Sequence, residues 1–287
     1  MTNTNTKIRL VKALQVVILI IFSFRGFSQS ESLPETKTPK KKGTFYVLWG
    51  YNRDWYAKST IHFKNDGDPN LQNEKGVYDF TLYNVTAADR PQFDRIKDVK
   101  NITVPQFNFR IGYYFNDKKD QGFELNYDHA KYVVNDWQTA RIKGSAFGTS
   151  FDKDTVLNPN YFHFEHTDGA NFWLFNYMKR FKLYQSKNEK NNIGFILKPG
   201  VGFVYPRTDV TLFGNRVNNR WHISGVCAGL EAGIRTELLK HLTIELTGKG
   251  VYADYFAIIV QGKGNGQAKQ KMWAVEAILN IGYSLNW

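Results

Sequence analysis

The last fifteen residues of the chain alternate between two kinds of side chain. One face carries Trp273, Val275, Ala277, Leu279, Ile281, Tyr283, Leu285 and Trp287, and the other face is mostly polar or small. A repeat of two residues is the pattern of a β-strand, because successive side chains point to opposite sides of a sheet. A globular strand has about five or six residues, whereas a tilted strand needs roughly 9–11 to cross a membrane. The alternation therefore predicts a membrane-spanning strand with one apolar face.

Seven earlier segments show the same alternation, at residues 45–52, 106–115, 123–128, 173–183, 193–205, 226–235 and 242–249. The connections between the segments are short at 116–120, 185–191 and 239–241, and longer at 56–101, 136–169, 206–220 and 261–270. Outer-membrane β-barrels have short periplasmic turns and long extracellular loops. The sequence therefore predicts an all-β fold, an antiparallel up-and-down transmembrane β-barrel of eight strands, with both chain ends on the periplasmic side.

Two pairs of shorter segments leave ten or twelve strands possible. Ser59–Phe63 is a candidate partner for Tyr78–Tyr83, and Gln138–Lys143 for Tyr161–Glu165. Each segment has only five or six residues, fewer than the roughly 9–11 that a crossing strand needs. We therefore expect both pairs to form hairpins in the loops above the membrane.

The first 28 residues have the pattern of a secretory signal peptide. Three basic residues precede the uncharged run 13–24, and small residues follow at 26 and 28. That run is shorter than the about 20 apolar residues of a membrane-spanning helix. We expect cleavage after residue 28, a polar periplasmic tail at 29–43 and the barrel domain at 44–287.

Charge and cysteine content restrict the partners. The chain has a net charge of +12, and the predicted mature chain keeps +8. A basic exported chain meets anionic lipid and polysaccharide rather than nucleic acid. The single cysteine, Cys227, excludes an internal disulfide and a four-cysteine zinc site. We expect no cofactor and no metal.

The charged residues on the polar strand faces indicate which face of the sheet points outward. A secreted β-sandwich or a lipocalin-like barrel is the soluble alternative, and such a barrel hides its apolar face inside. The polar faces hold Arg110, Glu124, Asp128, Lys198, Glu231, Arg235, Glu245, Lys249 and Glu276. Buried ions need partners, so this set favours a membrane barrel whose narrow lumen is filled by a network of paired charges.

The C-terminal residues carry a resemblance. Asn280, Gly282, Leu285 and Trp287 resemble the C-terminal assembly signal of bacterial outer-membrane proteins, which implies recognition by the barrel-assembly machinery. The whole predicted mature chain resembles the small barrels of the outer-membrane protein A and W type. The segments 49–53 and 164–169 are similar to uncharacterised outer-membrane proteins of Bacteroidota. That resemblance implies no particular activity.

One cluster is a weak candidate for catalysis. His166, Thr167 and Asp168 follow one another where a long loop re-enters the barrel, and a hydroxyl activated by an oriented base is a common catalytic unit. Neighbours on a strand face opposite sides, which is poor geometry for such a unit. The lipid A deacylases use a His-x-Ser pair, and since we identify no such pair in the chain, the match to them fails. We favour a hydrogen-bonded rim cluster.

The preferred function is a non-enzymatic barrel with a plugged lumen, whose extracellular loops bind a partner or stabilise the envelope. Two alternatives remain open: an outer-leaflet lipid A-modifying barrel enzyme, and a narrow channel for small solutes. We expect a monomer in the cell outer membrane, in contact with outer-membrane lipid and lipopolysaccharide.

Overall fold

The computed structural model describes residues 43–286 apart from 68–75, 92–104, 117, 167 and 262–265. The predicted signal peptide, nearly all of the predicted tail, Thr167 and Trp287 lie outside the described residues. In the described ranges, no helix is long and apolar enough to cross a membrane. The regular elements of this part of the chain are seventeen β-strands: β1 Thr44–Tyr56, β2 Ser59–Asn65, β3 Tyr78–Val85, β4 Ala87–Ala88, β5 Phe107–Tyr114, β6 Gln121–Asp128, β7 Tyr132–Val134, β8 Thr139–Ala146, β9 Thr149–Val156, β10 Phe162–His166, β11 Phe172–Gln185, β12 Asn192–Val204, β13 Asp209–Leu212, β14 Asn215–Asn218, β15 Gly225–Leu238, β16 Leu242–Gln261 and β17 Gly266–Asn286.

Eight strands close into a ring. Each pairs in antiparallel with the next, in the order β1, β5, β6, β11, β12, β15, β16 and β17. The ring closes where β17 pairs with β1, in a register that runs from Thr44↔Asn286 to Tyr56↔Ala274. The eight-stranded up-and-down barrel predicted from the sequence is confirmed. Three short connections, β5–β6, β11–β12 and β15–β16, lie at the end where β1 begins, here called the turn end.

The wall of the ring turns its apolar face outward. The exposed side chains include Phe175, Leu246 and Trp273, each about three-fifths exposed (60%, 62% and 61%). A continuous apolar outer belt is the surface that faces lipid in a membrane-spanning barrel, whereas a lipocalin-like barrel keeps such residues inside. The soluble alternative is therefore excluded by the direction of the faces.

The long connections fold into a second structure at the other end, the loop end. Strands β2, β3, β8 and β9 extend one sheet from the outer part of β17. Strands β4, β7, β10, β13 and β14 form a second sheet next to β1. We call these nine strands, with the outer ends of β16 and β17, the cap.

The cap has an apolar core, which continues into the ring at Leu174 and Val251. The buried side chains are Ile61, Phe63, Phe80, Leu82 and Ile142 from the first sheet, and Val134, Phe162, Phe164, Val210 and Leu212 from the second. Ring contacts join the two sheets, with centroids 5.6 Å apart for Phe63–Phe164 and 5.9 Å for Phe80–Phe162. Apolar burial of this kind stabilises a folded unit in water, so the cap is a packed β-structure and not a set of open loops.

The cap corrects one predicted pairing and confirms another. Strands β2 and β3 form the first predicted hairpin, outside the ring. The second predicted hairpin is wrong: β8 pairs with β9 and β3, whereas β10 pairs with β7 and β13. The reason is a tight turn at Phe147-Gly148, whose φ angles are 52° and 78°. Two successive positive φ values fit a two-residue hairpin, which pairs β8 with the next segment of the chain.

Candidate functional site

The inner face of the ring carries a row of charges that the register places side by side. Lys198 lies opposite Glu231, Glu231 opposite Lys249, and Lys249 opposite Glu276. Directly opposed residues on one face of a sheet have Cβ atoms about 4.5–5.5 Å apart, close enough for ion pairs. The sign of the charge therefore alternates across four neighbouring strands.

Lys198 and Arg110 are the two cations nearest the centre of the lumen. The Nζ atom of Lys198 lies 2.9 Å from Glu124, 2.7 Å from Glu231 and 2.6 Å from Glu245. Arg110 lies 2.7 Å from Asp128, 3.5 Å from Glu231 and 3.8 Å from Glu124.
All these side chains are inaccessible to solvent. Each cation thus bridges three carboxylates, from three strands for Lys198 and from two strands, β6 and β15, for Arg110.

Arg235 extends the network toward the turn end. Its Nε donates to Glu245 at 2.6 Å, and its Nη2 donates to Glu124 at 2.9 Å. Its Nη1 donates to the Tyr114 hydroxyl at 2.7 Å. The guanidinium also lies 4.4 Å from the centre of the Tyr46 ring, which is a cation–π contact. Such a contact is stronger when both groups are shielded from water.

The side chain of Tyr46 occupies space that is open only because residue 112 is glycine. Its hydroxyl donates to Glu124 at 2.6 Å across the lumen. A Cβ at Gly112 would lie 2.1–2.6 Å from atoms of this ring, closer than side chains can approach. Gly112 therefore allows Tyr46 to lie flat inside the wall and to complete the hydrogen bonding of Glu124.

The structure brings the nine predicted lumen charges into one buried set. Eight of them make close ion pairs, among them Lys249, which contacts Asp128 and lies 3.5 Å from Glu231. Glu276 is the exception, because its only ion pair among the described residues is with Lys249 at 4.0 Å. An eight-stranded barrel is just wide enough to be filled by side chains, and this network occupies its centre.

A second cluster of charges was not predicted. Arg180 lies 3.2 Å from Glu237, and Lys119 lies 2.9 Å from the same carboxylate. Together with Lys118 and Lys182 these residues line a cavity of about 710 Å³ at the turn end. The sequence pattern could have indicated this cluster, because Glu237 lies two residues after Arg235 and therefore on the same face of β15.

Of the weak catalytic candidates, His166 and Asp168 have separate partners, and Thr167 lies outside the described residues. His166 is buried in the cap, its Nδ1 lies 3.0 Å from the Thr208 hydroxyl, and its ring stacks on Tyr255. Burial lowers the pKa of His166 to about 3, so the ring is neutral. Asp168 instead pairs with Arg207 at 3.1 Å. The arrangement is that of a histidine packed in a core.

The prediction that the chain has no His-x-Ser pair is wrong, because His222-Ile-Ser224 is such a pair. The Ser224 hydroxyl lies 2.8 Å from Nε2 of His222. The same nitrogen lies 2.8 Å from the Ala257 carbonyl, and Nδ1 lies 3.0 Å from the Arg220 carbonyl. Both ring nitrogens lie within hydrogen-bond distance of a carbonyl, and a neutral imidazole has one N–H, so its tautomer decides which nitrogen donates. Ser224 is also fully buried, and the pair has the geometry of a structural contact.

The ring, its lipid-facing wall and its charge-filled lumen define the class of the protein as a small membrane-spanning β-barrel. No family model matches the chain, and no curated protein matches it. Solved structures of outer-membrane barrels are similar to it. OprG from Pseudomonas aeruginosa is 14% identical, with 86% of this chain and 98% of that chain covered and a TM-score of 0.36.

Two further solved structures show the range of the similarity. Ail, the attachment invasion locus protein of Yersinia pestis, is 12% identical over 85% of this chain and 99% of that chain, with a TM-score of 0.30. The outer membrane protease OmpT from Escherichia coli is 8% identical over 90% of this chain and 100% of that chain, with a TM-score of 0.38. No residue role is transferred from them. The similarity to Bacteroidota proteins stays a prediction.

Proposed function

We propose that the protein is a non-enzymatic outer-membrane barrel that presents its cap at the cell surface, and that its lumen is a structural plug. The observation that carries this proposal is the central ion network, in which Arg110, Lys198 and Arg235 each bridge at least two buried carboxylates. An ion held by several partners is costly to displace. A solute crossing the lumen would have to break these contacts.

The orientation follows from the lengths of the connections. Short turns suit the periplasmic side, so the cap extends from the outer leaflet. On β17 the exposed Lys269 and Lys271 stand just above the outward Trp273. Tryptophan at the interface followed by lysine fits a surface that meets the phosphates of outer-membrane lipid or lipopolysaccharide.

The tip of the cap supports a binding role. Phe147 and Phe213 stand in turns with positive φ, and their rings contact each other at 4.8 Å. Phe147 and Tyr161, whose ring also contacts Phe213, are both about half exposed. Backbone strain and exposed aromatic rings are features of binding surfaces more often than of inert loops.

Planar-bilayer recording of the full chain tests the plug. We expect no stable large conductance, and a large steady conductance would overturn the proposal. The turn-end cavity supports one second candidate, a narrow channel for small solutes, because it gives one end of the lumen an open polar entrance. Small, ion-selective steps in the same recording would favour that candidate.

A deletion strain tests the absence of catalysis. We expect the mass spectrum of its lipid A to match that of the parent strain. A change in acyl chains or phosphates that the intact gene restores would support the lipid-modifying enzyme and would contradict the proposal. The deletion strain carrying the Ser224→Ala variant is the matched control, because that variant lacks only the hydroxyl of the His222-Ile-Ser224 pair.

A further inference from the structure

The cavity at the turn end has the size and the charge of a binding site for an anion. Its volume of about 710 Å³ lies within the range of about 300–1,000 Å³ that is typical of ligand pockets. Its carboxylates are Asp120, Glu189 and Glu237. Its cations are Lys118, Lys119, Arg180, Lys182 and Lys240. The lining therefore has two more positive than negative charges, and we call it the basic cup.

The floor of the basic cup is held in place by one carboxylate. Glu237 accepts hydrogen bonds from Lys119 at 2.9 Å, from Arg180 at 3.2 Å and from the Asn192 amide at 3.0 Å. A Cβ at Gly194 would lie 2.5 Å from Nε of Arg180, so this glycine gives the arginine side chain room against the wall. Two cations share one carboxylate, and the floor keeps one positive charge.

The mouth of the basic cup adds exposed cations. The ion pairs at this end among the described residues join Lys119 and Arg180 to Glu237, and Lys179 to Asp120. Lys118 and Lys182 are exposed on the lining and lie outside these pairs. A flexible lysine in water can turn toward an incoming carboxylate.

The parity of β11 separates two kinds of anion. Arg180 and Lys182 line the basic cup, whereas Lys179 and Phe181 lie on the outer face, with the Lys179 Nζ 6.0 Å from the centre of the Phe181 ring. Lipid around the wall meets the outer pair. Lys182 faces the water inside the mouth, so its ligand is a water-exposed anion and not a lipid headgroup.

The centre of the lumen has the opposite charge. The nine lumen charges together with Asp54, which lies opposite Glu276 on β1, make six buried carboxylates and four cations. A cleft with an excess of one sign concentrates ions of the other sign. Anions are therefore attracted to the basic cup and opposed by the network beyond it, which favours a site that holds an anion over a path that conducts one.

We propose that the basic cup binds the free carboxylates of peptidoglycan stem peptides and thereby attaches the barrel to the cell wall. The proposal rests on the orientation given above, with the turn end in the periplasm, and it specifies the envelope-stabilising role. Lysine and arginine form charge-assisted hydrogen bonds with carboxylates. Peptidoglycan is a fixed periplasmic polymer that repeats such carboxylates, so weak single contacts add up over many barrels.

Co-sedimentation with purified peptidoglycan sacculi tests the proposal. The full mature chain, folded in neutral detergent micelles, is centrifuged with intact sacculi and with sacculi whose carboxylates have been converted to amides. We expect the chain to sediment with the intact sacculi and to stay in solution with the amidated ones. Because the lysines are exposed, binding should weaken between about 0.05 and 0.5 M salt.

Two double variants locate the contact. Lys118→Glu with Lys182→Glu should lower the apparent affinity about tenfold, because two exposed attractions become repulsions. Lys187→Glu with Lys190→Glu is the matched control, since these exposed lysines change the net charge equally but lie outside the cavity lining. It should bind like the wild type, and so should Lys118→Arg with Lys182→Arg. All the changed side chains are exposed, so each variant should keep the heat-modifiable band of the folded barrel.

Four results would overturn the proposal. The first is a wild-type chain that does not sediment with intact sacculi, and the second is equal sedimentation with amidated sacculi. The third is an equal loss in both glutamate variants, which would indicate general attraction to a basic surface. The fourth is binding to vesicles of anionic lipid, dependent on Lys118 and Lys182, without binding to sacculi. The plug is tested separately, because a barrel that conducts and still binds sacculi would contradict the plug alone.

Discussion

Strand β17 runs through both the ring and the cap, and its side-chain pattern is opposite in the two regions. In the membrane part of β17, Leu279 points outward while Glu276 and Asn280 point inward. A few residues earlier on the same strand, Lys271 is exposed and Met272 is buried. The backbone geometry is one continuous β-strand, and only the solvent outside it changes. The comparison teaches that alternation specifies two faces, whereas the surroundings decide which face is apolar.

The two regions are also held together by different forces. The lumen relies on charged groups that are costly to bury and therefore stabilise only when fully paired. The cap relies on apolar side chains withdrawn from water, such as Phe63, Phe80 and Phe164. Substitutions should therefore destabilise the two regions in different ways. The predictions that follow run from the largest expected effect to the smallest.

The largest effect is expected from Arg235→Ala in the lumen. The change leaves Glu245 and Glu124 without their shortest guanidinium contacts. Breaking a buried ion pair costs about 3–5 kcal/mol, and we expect the folded band to melt at a lower temperature on a heat-modifiability gel. Arg53→Ala is the control, because Arg53 pairs with Asp89 at an exposed position and should cost below about 1 kcal/mol. Equal melting of both variants would contradict a structural role of the network.

A similar but local effect is expected from Phe80→Ala in the cap. Phe80 is buried, and its ring contacts Phe63, Phe162 and Phe213. Truncation of a core phenylalanine costs roughly 3–4 kcal/mol. We expect protease to cleave the cap on whole cells while the ring keeps its heat-modifiable band. Simultaneous loss of ring and cap would show that the two regions unfold as one unit.

Leu279→Lys and Val156→Lys compare the same change on the two outer surfaces. Leu279 on the ring is 56% exposed and Val156 on the cap is 52% exposed. Lysine near the bilayer midplane costs about 2–4 kcal/mol, but it costs little on a surface in water. Refolding into lipid vesicles at increasing urea should show a loss of stability for Leu279→Lys alone. A matching loss for Val156→Lys would place the cap within the bilayer.

The smallest effect concerns His163 in the cap. Hydrogen bonds to Glu165 and Asp136, at 3.0 and 2.9 Å, raise the pKa of His163 above its usual value. A raised pKa in the folded state stabilises the cap below the ordinary histidine range, and the stabilisation is lost as the pH rises through the raised pKa. Because Asp136 is partly exposed, we expect below about 1 kcal/mol. The protection factors of the β10 amides, which correct for base-catalysed intrinsic exchange, should fall between about pH 6 and 8 in the wild type and not in His163→Gln.

The ring was predictable because its signal is local. Each of the eight alternating segments became a wall strand, and the parity of Arg110, Glu124 and Lys198 was enough to predict their direction. The cap was less predictable. The segment 261–270 was predicted to be a loop, yet β16 extends to Gln261 and β17 already begins at Gly266. Above Lys249 the inward positions change from charged to apolar. Because the prediction expected apolar residues only on the lipid side, it ended both strands too early.

The sequence by itself determined the period, the all-β class, the number of wall strands and the residues that share each face. These properties follow from backbone geometry, which reverses side-chain direction at every residue. Only the tertiary structure decided which charges meet, since the row from Lys198 to Asp54 exists only in the register of five paired strands. The same holds for the pairing of β10 with β7 and β13. Register and ring closure depend on contacts between distant residues, and no local pattern encodes them.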